Sequence, residues 1–248
     1  MNVALAAVAF APGLALGSFL NVVAARVPLR LSVVRPPSAC MACAEPIRPL
    51  DNIPLVSYLL LRGRCRSCGA RIPAVYPLVE LTTALLVAAC VLAFGLTWTA
   101  LFAAFFCSVL VVLSATDLAH RIIPDRVVLP AAAAVLLART ALDPSPEWLL
   151  GALGAALFFF VAAVAYPAGM GMGDVKLALL LGAALGSTVP VALMLGMLAA
   201  LVPAAVLFAR HGMAARKLKI PFGPFLALGG LVALFAGEPL LAAYLARF

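Results

Sequence analysis

Apolar runs too long for any soluble core dominate this sequence. No charged residue occurs from Val3 to Ala25, and Pro77 to Thr116 runs 40 residues with Glu80 as the lone charge. About 20 mainly apolar residues cross a hydrocarbon core roughly 30 Å thick, so these runs have the length of membrane crossings. Composition closes the soluble alternative: 66% of residues are hydrophobic and 10% charged, against roughly half and a quarter in soluble domains. A secreted disulfide scaffold is also excluded, because the 248 residues hold six cysteines and four of those fall in two tight pairs.

The first run carries its positive charge after the apolar stretch rather than before it. That is the wrong order for a cleaved signal peptide and predicts a first helix with its N-terminus outside. A polar stretch, Arg26–Tyr76, follows. Pro77–Thr116 has room for two helices, with a turn at Gly95–Thr99. Val127–Tyr166 holds two more, divided by Asp143-Pro144-Ser145-Pro146-Glu147. Gly169–Asp174 is a glycine-rich break. Val175–Ala209 is too long for one crossing and turns at Gly186–Pro190. A basic loop, Arg210–Lys219, precedes a last span over about Phe222–Ala236, which leaves Pro239–Phe248 as an outer tail.

The expected fold is therefore all-α and polytopic, with about eight transmembrane helices and an inner loop after helix 1. In segments, residues 1–25 form the first helix, 26–76 a cytoplasmic zinc-binding loop domain and 77–248 a seven-helix bundle. Charge sorting supports the count. The four inner segments, Arg26–Tyr76, Asp117–Arg126, Gly169–Lys176 and Arg210–Pro221, hold 15 of the 17 Lys and Arg residues. Only Arg139 and Arg247 fall outside, as the positive-inside rule requires. The net charge of +8 is thus explained by membrane topology. Nucleic acid is not an expected partner, since the arginines are spread along the loop with only Tyr58 and Tyr76 to offer stacking. The lipid bilayer is, because the same arginines suit anionic headgroups.

The loop contains Cys40-Met41-Ala42-Cys43 and Cys65-Arg66-Ser67-Cys68. Two knuckles of this form supply four thiolates to a tetrahedral Zn²⁺, and a closed set of four ligands is structural rather than catalytic. Two disulfides are the rival pairing, which a cytosolic loop disfavours. Cys90 and Cys107 lie within predicted helices as apolar packing residues.

Ionisable groups at a membrane are costly and point to function. Glu45 and Asp51 lie in the zinc loop, and Asp143, Glu147 and Glu238 in outer loops. Glu80, Asp117, Asp125 and Asp174 remain, all at the inner ends of helices. Asp117 closes an apolar run, and Asp174 ends Gly171-Met172-Gly173-Asp174, where the glycines leave space for an extended peptide. Two carboxylates that meet share one proton, and one then activates water while the other protonates a scissile carbonyl. Local pairing, Asp117 with Arg121 and Asp174 with Lys176, is the alternative that spacing leaves open. Glu80 is expected in the first turn of helix 2, favoured by the helix dipole, and Asp125 as an N-cap. Asn21 and Ser18 suit interhelical hydrogen bonding, and Gly13-x-x-x-Gly17 and Gly182-x-x-x-Gly186 suit close helix packing. His120 and His211 read as solvated loop residues.

The sequence resembles the type IV prepilin peptidases, the bifunctional leader peptidase/N-methyltransferases of the bacterial inner membrane. The matching stretches run from residue 17 to about 230. They are Gly17-Ser18-Phe19-Leu20-Asn21-Val22-Val23, both cysteine knuckles, Asn52-Ile53-Pro54 with Ser57-Tyr58-Leu59, Leu61-Arg62-Gly63-Arg64-Cys65, and Tyr76-Pro77-Leu78-Val79-Glu80-Leu81. Asp117 with Ile123-Pro124-Asp125, Gly171-Met172-Gly173-Asp174-Val175-Lys176 and Pro221-Phe222-Gly223-Pro224-Phe225 complete the set. One departure is Val75, where the family commonly has Arg. The resemblance implies a Gly-x-Gly-Asp intramembrane aspartyl protease with Asp117 and Asp174 catalytic, and Gly171, Gly173 and Lys176 in support. It implies type IV prepilins or type II secretion pseudopilins as substrates, cut after the glycine that ends a short basic leader. The exposed residue, usually Phe, is then N-methylated from S-adenosylmethionine. No glycine-rich nucleotide loop is visible, so the methyl transfer rests on the resemblance, with Asn21 and Glu80 as its candidate residues. The competing classes are a transporter, whose acids usually sit near mid-bilayer, and a scaffold of a pilus or secretion machine.

Overall fold

A computed structural model describes residues 2–167, 169–217 and 220–247. Helix is the only extended secondary structure among them: α1 (Asn2–Arg26), α2 (Val56–Leu60), α3 (Val75–Phe94), α4 (Trp98–His120), α5 (Asp125–Leu142), α6 (Glu147–Ala165), α7 (Met172–Leu185), α8 (Val189–His211) and α9 (Gly223–Leu245). Two compact units divide at Ala115–Thr116, within α4.

In the first unit α1 and α3 run antiparallel and pack closely. Their seam repeats every four residues. A methyl group on Gly13 would sit 2.8 Å from the Ala84 Cα, and one on Gly17 would sit 2.6 Å from the Glu80 Cα. One step further, the Asn21 side-chain amide donates to the Tyr76 carbonyl at 3.0 Å. Small residues let the backbones approach, and the amide satisfies a carbonyl that lipid cannot. The thiols of Cys90 on α3 and Cys107 on α4 face each other at 3.8 Å, both buried.

In the second unit α7 packs on α6, α5 and α9. Gly182 lies directly against the Gly151 backbone of α6, and Gly229 of α9 against Ala192 of α8, so no Cβ fits at either glycine. Gly186 ends α7 in a left-handed conformation, φ 53°, which only glycine adopts freely. Arg139 near the end of α5 donates from Nε to the Ala184 carbonyl at 2.8 Å and stacks over Trp148 at 4.5 Å. The last turn of α7 is thereby capped by a cation.

Among the described residues, six stretches are long and apolar enough to cross a membrane: Asn2–Arg26, Val75–Phe94, Trp98–His120, Glu147–Ala165, Met172–Ala214 and Gly223–Leu245. The expected eight crossings correspond to α1 and α3–α9, but two of these helices do not qualify singly. α5 carries Asp125, Arg126 and Arg139. α7, with 14 residues, is only about 21 Å long.

Several boundaries differ from expectation. α4 continues four residues past Thr116, so Asp117 is helical rather than in a loop. α8 reaches His211, which places Arg210 and His211 in its last turn. The remainder of the basic loop includes residues 218 and 219, which lie outside the described residues. α9 runs through Pro239 to Leu245, so Glu238 and the supposed outer tail as far as Leu245 are helical, while Phe248 lies outside the described residues.

Candidate active site and metal centre

Asp117 and Thr116 sit in the last turns of α4 and are buried, the aspartate 6% exposed. The Asp117 Oδ2 accepts a 2.8 Å hydrogen bond from the Gly223 amide at the start of α9. A helix N-terminus presents free N–H groups and partial positive charge, so α9 aims a fixed donor at this carboxylate. Gly223 also leaves the space for it: a Cβ there would lie 2.8 Å from Oδ2.

Asp174 is half-buried in the first turn of α7. Its Oδ2 accepts from the Gly171 amide at 3.3 Å. This is half of a capping box, because Gly171 has no side chain to reciprocate. Gly173 packs on Ile123 of the α4–α5 connection, where a Cβ would meet the Ile123 Cβ at 3.1 Å. Gly171 is uncrowded, its nearest such neighbour being Asp174 itself at 3.8 Å. The two glycines thus have different duties, one admitting Ile123 and the other leaving room beside the carboxylate.

Asp117 stands in the last turn of α4 and Asp174 in the first turn of α7, both in the second unit. Neither local ion pair forms. Lys176 pairs with Asp125 at 2.6 Å, latching the start of α7 to the start of α5. Asp125 is accordingly the first residue of α5, with Pro124 in the capping position and no side-chain cap. The spacing argument missed Gly223 as the partner of Asp117. Its only local signal was a glycine preceding a proline at a helix start.

In the first unit the sulfurs of Cys40, Cys43, Cys65 and Cys68 all lie within 4.8 Å of one another. Cys40 and Cys68 are 3.8 Å apart. Four thiolates at about 2.3 Å from a zinc ion stand about 3.8 Å apart along a tetrahedron's edge, so the set fits this metal. The two knuckles are built alike. Cys40 bonds to Glu45 and Ala44 to Cys40, as Cys65 bonds to Ala70 and Gly69 to Cys65. Ala44 and Gly69 occupy the same left-handed position, φ 59° and 71°. The Ala42 amide donates to the Cys40 sulfur at 3.4 Å, which favours the metal-binding thiolate.

Glu80 lies in the second turn of α3, not the first, and is buried. The dipole therefore does not account for it. Its Oε2 accepts from the Leu55 amide at 2.9 Å.

Comparison with known proteins places these sites in context. Residues 12–94 match the profile described as Bacterial Peptidase A24 N-terminal domain, and residues 104–209 match the Type IV leader peptidase family. The prepilin leader peptidase/N-methyltransferase of Bacillus subtilis is 36% identical over 241 residues, covering 94% of this chain and 95% of that protein. This chain belongs to the type IV leader peptidase family. The like-named proteins of Pseudomonas aeruginosa and Aeromonas hydrophila are 37% and 35% identical, with 94% and 95% of this chain covered and 91% and 92% of theirs. No solved structure matches. Both aspartates fall within the leader peptidase segment and all four clustered cysteines within the N-terminal one. Gly223 lies beyond both.

Proposed function

We propose that this chain removes the leader from type IV prepilins or type II secretion pseudopilins, with Asp117 and Asp174 as its acid–base pair. It then methylates the new N-terminus. The observation carrying this reading is a pair of sheltered carboxylates at helix ends of one unit, neither ion-paired to a cation among the described residues. One is oriented by the Gly223 amide.

An ionised member of the pair takes a proton from water while its protonated partner gives one to the scissile carbonyl oxygen. The resulting hydroxide adds to the carbonyl carbon. Collapse of this tetrahedral diol breaks the C–N bond, sends a proton to the departing amine and returns the pair to one shared proton. Asp117 Oδ2 is engaged by Gly223 and Asp174 Oδ2 by Gly171, which leaves each Oδ1 to face the water. Gly171 leaves room beside the Asp174 carboxylate, Gly173 seats Ile123 against α7, and Lys176 fixes α7 through Asp125 rather than touching the reacting atoms.

Cys40, Cys43, Cys65 and Cys68 would hold a Zn²⁺ that staples a loop too small to hold its own core. S-adenosylmethionine supplies the methyl group when bound. Asn21 and Glu80 are each bonded to main-chain atoms, and we assign them no step in methyl transfer. The bacterial inner membrane, with the zinc loop in the cytoplasm and both termini outside, accounts for the 15-to-2 sorting of basic residues.

The test is leader removal from a prepilin in membranes or detergent. Asp117→Asn and Asp174→Asn should each abolish cleavage with expression unchanged, and the double variant should be little worse, because paired groups act as a unit. Asp125→Asn should retain substantial cleavage. Robust cleavage by Asp174→Asn, or loss confined to Asp125→Asn, would place the chemistry elsewhere.

A further inference from the structure

The short helix α2 presents an exposed apolar face. Val56, Leu59 and Leu60 share that face at helical spacing and are 47%, 71% and 78% exposed. The opposite face is turned inward through Ser57, 7% exposed. In a water-exposed loop such a face would be a liability, but its depth can be read from the helices beside it. Leu55, which leads into α2, donates its amide to Glu80. Glu80 is the sixth residue of α3, about 7–8 Å along that helix from its start. Gly17, packed on Glu80, lies about 13 Å back from the end of α1 at Arg26. With its 20 residues, α3 is about 30 Å long, just the hydrocarbon thickness. Allowing for the reach of the Glu80 side chain toward the start of α3, Leu55 is tethered close to the level at which both spans emerge.

Backbone at that depth must satisfy its own polar groups, and this segment does. Leu55 is held at φ 58°, which turns its amide toward the Glu80 carboxylate. The amides of Ser57, Leu59 and Leu61 go to the carbonyls of Ile53, Leu55 and Ser57. The Ser57 hydroxyl also donates to the Ile53 carbonyl. Exposed arginines flank the insert at Arg48, Arg62 and Arg64, spaced to reach lipid phosphates while the leucines sit below.

We propose that α2 is a membrane-seated insert whose face of Val56, Leu59 and Leu60 packs against lipid acyl chains, holding the four-cysteine loop down on the bilayer. Glu80 is the buried acceptor that permits it. This goes beyond the proteolytic reading and does not depend on it.

The test is spin-label accessibility on the full-length protein in vesicles of phosphatidylethanolamine and phosphatidylglycerol, with zinc retained. Leu60→Cys and Val56→Cys report on the face, unmodified protein sets the labelling background, and Met41→Cys, 85% exposed in the first knuckle, is the aqueous reference. Labels at 56 and 60 should be shielded from a water-soluble nickel chelate while staying open to oxygen, and the label at 41 should be open to both. Relaxation by nickel at 56 and 60 equal to that at 41 would overturn the proposal. So would shielding from nickel that appears only after a prepilin is added, which would assign the face to the substrate's apolar helix. Neither outcome bears on Asp117 or Asp174, which the cleavage assay judges separately.

Discussion

Gly223→Ala isolates the interaction that orients Asp117. The added methyl would stand 2.8 Å from Oδ2 and 3.3 Å from both Cβ and Cγ of Asp117. Carbon atoms settle near 3.5–4.0 Å from one another, so the carboxylate must retreat by roughly 0.2–0.7 Å. That movement stretches the 2.8 Å hydrogen bond from the Gly223 amide, and a bond to a charged group is worth about 1.5–3 kcal/mol. Converted to rate, this is roughly a 10- to 150-fold loss. It agrees with the ~100-fold penalty for a 1 Å misplacement of a catalytic group. The two figures describe one displacement and do not add, so the expected fall in kcat for leader cleavage is about 100-fold. KM should hold, because the change weakens an interaction at the reacting carboxylate rather than one shared by bound substrate and transition state. Thermal stability should fall only modestly, since alanine, the better helix former by about 0.5–1 kcal/mol at a helical position without positive φ, offsets part of the weakened hydrogen bond. Gly154→Ala makes the same chemical change where nothing lies within 4 Å and should cleave normally. If Gly223→Ala cleaved within about threefold of the unmodified protein, a change worth under 1 kcal/mol, the Gly223 amide would not be positioning a catalytic carboxylate.

Two further outcomes follow from the loop. Purified protein should carry about one Zn²⁺ per chain, lost in Cys43→Ser, and Ala44→Gly should release it more slowly to a chelator. The reason is that Ala44 occupies the left-handed position that Gly69 fills in the other knuckle, at a cost of about 1 kcal/mol for a residue with a Cβ. Acid should loosen the loop through Asp51, whose carboxyl the Arg66 guanidinium holds below the usual carboxylate range. A lowered folded pKa contributes stability above the unfolded value near 4 and loses it as pH falls through the folded one. The limited-proteolysis rate at the loop should therefore rise below about pH 4, and Asp51→Asn should remove that step while leaving the neutral-pH zinc content in place.

Much of the architecture was legible because membrane crossing is a demand on composition. Length of apolar run, turn residues such as Asp143-Pro144-Ser145-Pro146 and the sorting of arginines are all local, and they located the helix breaks near Gly95, Asp143 and Gly186. The cysteine cluster was legible for a similar reason, since two knuckles of fixed spacing need only come together once. Helix ends were less accessible: α4 continues through Asp117 and α9 through Pro239, past residues that read locally as stops.

Partner choice was decided by tertiary structure alone. Spacing left Asp117 beside Arg121 and Asp174 beside Lys176 as the economical pairs, yet Lys176 reaches across to Asp125 and Asp117 takes an amide 106 residues away. A carboxylate sheltered from water takes whichever donor the packed helices bring within 3 Å, and sequence neighbours have no privilege there. Glu80 makes the same point, since its buried acceptor meets Leu55 only once α1, α3 and the loop have closed on one another. The chain's residues determined by themselves that it must live in a membrane and which groups were too costly to be idle there. Which of those groups face one another depends on the approach of backbones at Gly17, Gly182 and Gly223, a matter of shape that no single stretch of sequence contains.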